Sequence, residues 1–218
     1  MPVTLARPPV SGPIQDLRVR AVINDLCAAA RRPHDGGPRR SPSRDPADYA
    51  DYGFSIVPDQ GDLIYLLCRA KRARRVVEFA TSLGMSTLYF AAAMLDNGGG
   101  LVIGSEIVPA KVEEARLNLA KAGLEDYAEI RQGDARQTLR DLGGPVDFAL
   151  IDGWPTAGGP SLAREVIAMI APRLALGAYV MNDNAEPDFL DFIRDPANGF
   201  LSMTLPLKGG TELAVKVA

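Results

Sequence analysis

Apolar residues between positions 59 and 181 fall into two alternating patterns: short runs typical of buried strands, and longer stretches with helical spacing. Strands separated by helices of this length form right-handed crossover units, which build a parallel sheet covered on both faces. Strands are predicted at 75–79, 101–106, 127–131, 146–151 and 178–181, and helices at 59–73, 86–95, 109–122, 135–142 and 161–174.

Two further apolar runs, 200–205 and 212–217, have no convincing helix between them. We interpret them as an antiparallel pair that completes the sheet. The predicted fold class is therefore α/β, with a seven-stranded, mostly parallel sheet, an antiparallel C-terminal strand and helices on both faces.

The N-terminal part of the chain differs from this domain. Residues 13–30 predict an amphipathic helix, whereas 31–46 are rich in Pro, Gly, Ser and Arg, with almost no apolar side chains. That segment is either a solvated linker or a flexible arm that covers an active site or binds an anion. We divide the chain into an N-terminal helix and arm, 1–51, and a main domain, 52–218. The predicted apolar face of the helix holds Ile14, Leu17, Val22, Ile23, Leu26 and Cys27.

Composition and charge narrow the class of function. The 218-residue chain has a net charge of -3, which argues against a generally basic nucleic-acid-binding protein. No stretch approaches the roughly 20 apolar residues needed to cross a bilayer. Cys27 and Cys68 lie far apart in helical patterns and are expected to be buried thiols, which suits a reducing compartment. These features predict a cytoplasmic protein whose partner is a small molecule, with no nucleic acid and no membrane.

The loop after the first predicted strand is the main candidate for ligand binding. It runs from Glu78 through small residues into a helix, which allows backbone N–H groups to approach a ligand closely. Glu78, Ala80 and Gly84 form an E-x-A-x-x-x-G pattern rather than the G-x-G-x-x-G of a dinucleotide fold, and a Walker A ending is absent. Ligands of parallel sheets bind at the carboxyl ends of the strands, where this loop lies.

A second acid supports a nucleotide-like ligand at this place. Glu106 ends the next predicted strand, where a carboxylate accepts hydrogen bonds from both hydroxyls of a ribose. Gly133, Asp134 and Ala135 follow the third strand. Together these residues predict an adenosine pocket; the alternative is that they only close the ends of the strands.

The motifs in order resemble the class I S-adenosylmethionine-dependent methyltransferases, and more narrowly the metal-dependent O-methyltransferases of catechol and caffeoyl-coenzyme A. The matching stretches from about residue 52 onward are SIVPDQG, VVEFATSLGMST, GSEIVPAKVEEARLNLAKAGL, RQGDA, VDFALIDGWP, LGAYVMNDNAEPDFLDFIRD and LPLKGGTEL. The resemblance implies a Rossmann-like fold, S-adenosylmethionine as cofactor, transfer of a methyl group to a hydroxyl of a small, catechol-like acceptor, and a homodimer.

The same resemblance assigns the cofactor-binding residues. The methionine part would contact Ile56, Glu78 and the loop, the ribose would contact Glu106, and the adenine would lie among residues after the second, third and fourth strands. Trp154, the only tryptophan, is predicted to contact the adenine; the alternative is that it is simply a core residue. The full predicted set is Ile56, Glu78, Ala80, Thr81, Ser82, Gly84, Ser86, Glu106, Ile107, Asp134, Ala135, Asp152 and Trp154.

Asp152 follows the fourth predicted strand, and Asp183 and Asn184 follow the fifth. Three oxygen ligands at neighbouring strand ends suit a hard divalent cation such as Mg2+, which keeps positions open for two adjacent substrate oxygens. Such a metal would lower the pKa of the acceptor hydroxyl and hold its oxygen in line with the methyl group. The alternative is that these polar residues cap the strands and serve only the cofactor.

Two positions depart from the pattern of the family. Ala80 stands where the family usually has Gly, and Pro155 stands where members commonly carry a Lys that is assigned as the general base. Either the metal alone makes the hydroxyl acidic enough, or Lys208 or Glu212 serves as the base, or catalysis is altered or lost. Lys208 and Glu212 could equally be exposed charges of a turn. The predicted catalytic residues are Asp152, Asp183 and Glu212.

Two other functions remain open at this point. Pro155 in place of Lys would suit a protein that binds S-adenosylmethionine without transferring its methyl group. A nicotinamide-dependent oxidoreductase has the same alternation of strands and helices, but the spacing of the loop disfavours it.

Overall fold

A computed structural model describes residues 12–30, 45–49, 53–152, 160–183 and 185–218. Most of the 31–46 segment, together with Trp154, Pro155 and Asn184, therefore lies outside the described residues. The helices are α1 Leu17–Ala30, α2 Pro58–Lys71, α3 Met85–Asp96, α4 Pro109–Ala122, α5 Ala135–Thr138, α6 Leu162–Ile170 and α7 Pro187–Arg194. The strands are β1 Arg75–Phe79, β2 Leu101–Glu106, β3 Ala128–Gln132, β4 Val146–Ile151, β5 Leu174–Asn182, β6 Phe200–Leu205 and β7 Thr211–Lys216.

The strands form one seven-stranded sheet in the order β3-β2-β1-β4-β5-β7-β6. The first five strands are parallel to one another, whereas β7 is antiparallel to both β5 and β6. The predicted α/β fold with its antiparallel C-terminal strand is confirmed. The chain order reverses between β1 and β4, which is where ligands bind in such sheets.

Helices cover both faces of the sheet because consecutive strand residues point to opposite sides. Val76 of β1 packs in the cluster formed with α1, α2, α3 and α4, while Val77 packs in the cluster formed with α5, α6 and α7. Cys68 is buried in the first cluster and Cys27 is partly buried against it, and these two described cysteines form no disulfide bond. In the described part of the chain, no helix is long and apolar enough to span a membrane.

The N-terminal helix begins later than predicted, at Leu17 rather than at Pro13. Asp16 Oδ1 accepts hydrogen bonds from the backbone N–H groups of Arg18, at 2.7 Å, and Val19, at 3.3 Å, and so caps the helix. Leu17 is 76% exposed, so its placement on the apolar face was wrong. Val19 is fully buried instead, together with Ile14, Val22 and Ile23.

Three other predicted boundaries were wrong by more than two residues. Helix α5 ends at Thr138 instead of Leu142, because the Arg131 guanidinium binds the carbonyl oxygens of Thr138 and Asp141. Helix α6 ends at Ile170, since Pro172 lacks the N–H that would continue it, and a 3-10 turn follows. Strand β5 begins at Leu174 rather than Ala178, and helix α7 was not predicted at all.

Candidate active site

The loop after β1 has a backbone conformation that brings its amide groups together. Ala80, Ser82 and Gly84 have φ angles of 67°, 51° and 84°, all in the left-handed region. The backbone N–H groups of Ala80 and Thr81 both donate to the Ser105 carbonyl oxygen of the neighbouring strand, at 3.0 and 3.1 Å. The loop is therefore tightly folded against β2 before it enters α3 at the N-cap Gly84.

Glu78 lies beneath this loop and is completely buried. Its carboxylate accepts hydrogen bonds from the hydroxyls of Ser86 and Thr87, the latter at 2.6 Å. Burial raises the pKa of Glu78, and the hydrogen bonds from Ser86 and Thr87 only partly offset this effect. The loop thus encloses an acid whose charge is costly in the absence of a positively charged partner.

Glu106, at the end of β2, holds two backbone segments at once. Its Oε2 accepts from the Ser82 N–H at 2.8 Å, and its Oε1 accepts from the Val108 N–H at 2.9 Å. A carboxylate oxygen has two lone pairs, so each oxygen can accept a second hydrogen bond. The acid both fixes the loop and retains capacity for a ligand's hydroxyl groups.

Ser82 supplies a polar atom that needs a partner. Its Oγ is buried and has no hydrogen-bond partner among the residues that the structure describes. Leaving a buried hydroxyl unpaired costs about 1–3 kcal/mol. The hydroxyl and Glu106 together fit a ligand with polar groups, such as S-adenosylmethionine.

The residues predicted to surround the adenine lie after β2 and β3. Ala135 is buried, whereas the Ile107 side chain is 50% exposed. Asp134 caps α5 through the Arg136 N–H at 2.8 Å, and the hydrogen bond from the Arg136 guanidinium lowers the pKa of its carboxyl. Trp154, the fourth member of this predicted group, is outside the described residues.

Asp152 and Asp183 stand side by side, since each directly follows a strand and β4 pairs with β5 through Ile151 and Asn182. Both oxygens of Asp183 are taken by donors. The Gln60 amide donates to Oδ1 at 2.5 Å, and the Lys208 ammonium donates to Oδ2. Among the described residues no three His, Cys, Asp or Glu side chains form a group that could hold a metal ion.

The described part of the predicted metal site does not fit a divalent cation, because an ammonium group already lies on Asp183. The predicted trio is not tested as a whole, since Asn184 is outside the described residues. Gln60 was missed by the sequence analysis. The sequence feature that could have identified it is the position of a polar residue in the first turn of a half-buried helix, α2.

Glu212, the third predicted catalytic residue, is also fully engaged. Arg194 binds both of its oxygens, and the hydroxyls of Ser202 and Thr204 donate to them at 2.7 and 2.6 Å. Burial by itself would raise the pKa of Glu212. The hydrogen bonds from Arg194, Thr204 and Ser202 outweigh this effect, so the pKa of Glu212 lies below its ordinary value. Such a carboxylate is a weak base, and its catalytic role stays a prediction.

A family model described as a methyltransferase domain matches residues 77–185 of the 218 in this chain. The chain belongs to this methyltransferase family. The matched segment runs from within β1 to just beyond β5 and thus contains part of β1, all of β2 to β5, and the Glu78, Glu106 and Asp183 positions. The resemblance seen in the sequence is confirmed, and membership argues against a nicotinamide-dependent oxidoreductase.

Two relatives of this methyltransferase are catechol O-methyltransferases. That of Mycobacterium tuberculosis is 39% identical over 100 residues, which are 45% of this chain and 44% of that protein. That of Niastella koreensis is 34% identical over 103 residues, which are 45% of this chain and 46% of that protein. The matches thus span less than half the length of these relatives.

A crystal structure of an O-methyltransferase from Bacillus cereus in complex with SAH has the same fold. The two structures superpose with a TM-score of 0.62 over 93% of this methyltransferase and 92% of the other chain, at 21% sequence identity. The likeness confirms the Rossmann-like architecture over nearly the whole chain.

Proposed function

We propose that this methyltransferase transfers the methyl group of S-adenosylmethionine to a hydroxyl of a small aromatic acceptor. The observation that carries the proposal is the Glu106 carboxylate, which fixes the loop after β1 and keeps lone pairs for ribose hydroxyls. Support also comes from the relatives, which are named catechol O-methyltransferases, and from the structural neighbour in complex with SAH.

The cofactor would lie across the carboxyl ends of β1 and β2. Its ammonium and sulfonium groups carry positive charge, which would compensate the buried Glu78 carboxylate. Ser82 Oγ would bind its polar methionine end, and Glu106 would accept from its ribose. Ala135 and Ile107 would pack against the adenine, with Asp134 near the exocyclic amine.

The bound cofactor supplies an activated methyl group on a positively charged sulfur. In the reaction the acceptor oxygen forms a bond to this methyl carbon while the carbon–sulfur bond breaks, and the hydroxyl proton leaves to solvent or a base. The protein's residues act by holding the two reactants in line and by excluding water, so no covalent nucleophile is needed. No step of this reaction uses a divalent cation, because Lys208 lies on Asp183.

Calorimetric titration of S-adenosylmethionine tests this proposal. The wild-type protein should bind the cofactor, and Glu106→Ala should weaken binding by about 100-fold through the loss of charge-assisted hydrogen bonds. Glu113→Ala, in an exposed Arg116 pair on α4, is the matched control and should bind normally. Wild-type protein that binds no S-adenosylmethionine would contradict the proposal.

Transfer itself is measured with S-adenosylmethionine carrying a labelled methyl group and with catechol as the probe acceptor. With the wild type, the label should appear in the methylated catechol. With Glu106→Ala, no labelled product should appear. The homodimer and the cytoplasmic location stay predictions.

A further inference from the structure

The turn between β6 and β7 lies at the same edge of the sheet as the candidate active site. Strand β7 is antiparallel to β5, and Glu212 pairs with Asn182 at the carboxyl end of β5. The residues just before β7 therefore return to the edge where Asp183 follows β5. Lys208 is in this turn, and its side chain is one-third exposed.

The Lys208 ammonium is held by two oxygen atoms from distant parts of the chain. It donates to Asp183 Oδ2 and, at 2.9 Å, to the carbonyl oxygen of Ser55. The Asp183 side chain is only 1% exposed, so its negative charge depends on a nearby cation. An ammonium has three N–H groups, and the third has no partner among the described residues.

Gln60 fixes the other side of Asp183. Its Oε1 accepts from the Val57 N–H at 2.9 Å, which orients the amide so that Nε2 faces Asp183 and Thr211. Nε2 donates to Asp183 Oδ1 at 2.5 Å and to Thr211 Oγ1 at 2.8 Å. Each oxygen of Asp183 thus faces a donor, and a divalent cation at Oδ2 would meet the positive charge of Lys208.

We propose that the Lys208 ammonium takes the place beside Asp183 that a divalent cation would occupy, and that its remaining N–H binds the acceptor oxygen. This inference rests on the proposed function. A divalent cation binds two adjacent oxygens of an acceptor, whereas an ammonium N–H binds one. The acceptors are therefore phenols for which a single hydroxyl suffices.

Titration with Mn2+ tests whether Lys208 keeps a cation out. The wild type and Lys121→Met, a control at an exposed lysine of α4, should show no site. Lys208→Met keeps the apolar stem of the side chain and removes the ammonium group from Asp183. This variant should gain one Mn2+ site, with an affinity at least about tenfold higher than that of any Mn2+ binding by the wild type. Lys208→Met combined with Asp183→Asn should lose that site again. Electron paramagnetic resonance of free Mn2+ gives the bound fraction.

Two results would overturn the inference: a wild-type Mn2+ site that Asp183→Asn removes, or no gain of binding in a folded Lys208→Met. Circular dichroism checks the fold, and Lys208→Gln, which keeps a donor for Asp183 but no charge, is the second variant if the first does not fold. Binding of S-adenosylmethionine, measured in the same samples, separates a failure of the proposed function from a failure of this inference, because the hydrogen bonds of Lys208 described above go to Ser55 and Asp183 and not to the loop after β1.

Discussion

Arg194 and Glu212 are joined through both carboxylate oxygens, with Nε 3.0 Å from Oε1 and Nη2 2.9 Å from Oε2. Arg194 is the last residue of α7 and Glu212 lies in β7, so the pair fastens the helix to the C-terminal hairpin. The Glu212 side chain has no exposed surface, while that of Arg194 is 49% exposed. The hairpin that carries Lys208 is thus held from both faces of the sheet, by Arg194 on one and by the Gln60–Thr211 hydrogen bond on the other.

Replacing Glu212 by Gln should lower the free energy of unfolding at pH 7 by about 2 kcal/mol, because hydrogen bonds to a charged partner are lost and a buried site is left imperfectly paired. Urea denaturation measures the change. Glu165→Gln, at the exposed Arg136–Glu165 pair, is the control and should cost about 0.5 kcal/mol or less. Equal losses in the two variants would show that the Arg194 pair has no special strength.

The same pair should make stability depend on acid. The folded-state pKa of Glu212 lies below its ordinary value of 4.5, so its contribution is present above that value and is lost as the pH falls through the folded pKa. Urea denaturation between pH 6 and pH 3 should therefore show a steeper loss for wild type than for Glu212→Gln. Parallel curves would contradict the role of the carboxylate charge.

Glu78→Gln should have the opposite effect on stability and a harmful effect on cofactor binding. The folded-state pKa of Glu78 is raised above its ordinary value of 4.5 by burial, so the ionised acid lowers the free energy of unfolding above that pH. At pH 7 the variant should be more stable than wild type in urea, and the difference should shrink as the pH approaches 4.5. Calorimetry should show roughly tenfold weaker S-adenosylmethionine binding. A less stable variant at pH 7 would refute this account.

Ala80→Gly should stabilise the protein by up to about 1 kcal/mol, because a left-handed conformation is costly for Ala and free for Gly. The greater freedom of Gly in the unfolded chain offsets part of the gain. Ala120→Gly, at an exposed position of α4, should instead cost about 0.5–1 kcal/mol. Thermal unfolding of both variants checks the prediction, and destabilisation by Ala80→Gly would contradict it.

Methyl transfer should not require a divalent cation. With catechol and phenol as acceptors, the wild-type rate should be unchanged by EDTA, and the kcat/KM values should agree within about tenfold, since one hydroxyl makes the contact with Lys208. Labelled methyl transfer gives both rates. Loss of activity in EDTA that Mg2+ restores would show that a cation displaces Lys208.

Sequence patterns predicted the elements with the clearest boundaries. Strands β1, β2, β4 and β6 and helix α4 have the predicted bounds, since each strand is a short apolar run and α4 begins at a Pro and ends before Gly123. Helix α7 was missed because it has only eight residues, among them Asp188 and Asp191, and depends on packing Phe189 and Ile193 into the core.

The contacts of the site were harder to predict than its location. Strand ends placed Glu78, Glu106 and Asp183 correctly, because parallel strands bring their carboxyl ends to one edge. The partners of Asp183 depend on side-chain geometry across large sequence separations, since Gln60 is 123 residues away and Lys208 approaches only through the hairpin. The φ angle of Ala80 confirms that the loop has the backbone for which Gly is suited, although the sequence places Ala there.

Because β7 runs antiparallel to β5, two separate regions of the chain form the candidate site. The cofactor half is built into the β1–β2 core, where a substitution disturbs buried strands. The turn at 206–210 is a short surface connection that reaches the acceptor side without entering that core. Substitutions in this turn can therefore change the surroundings of Asp183 without disturbing the buried strands around Glu78 and Glu106.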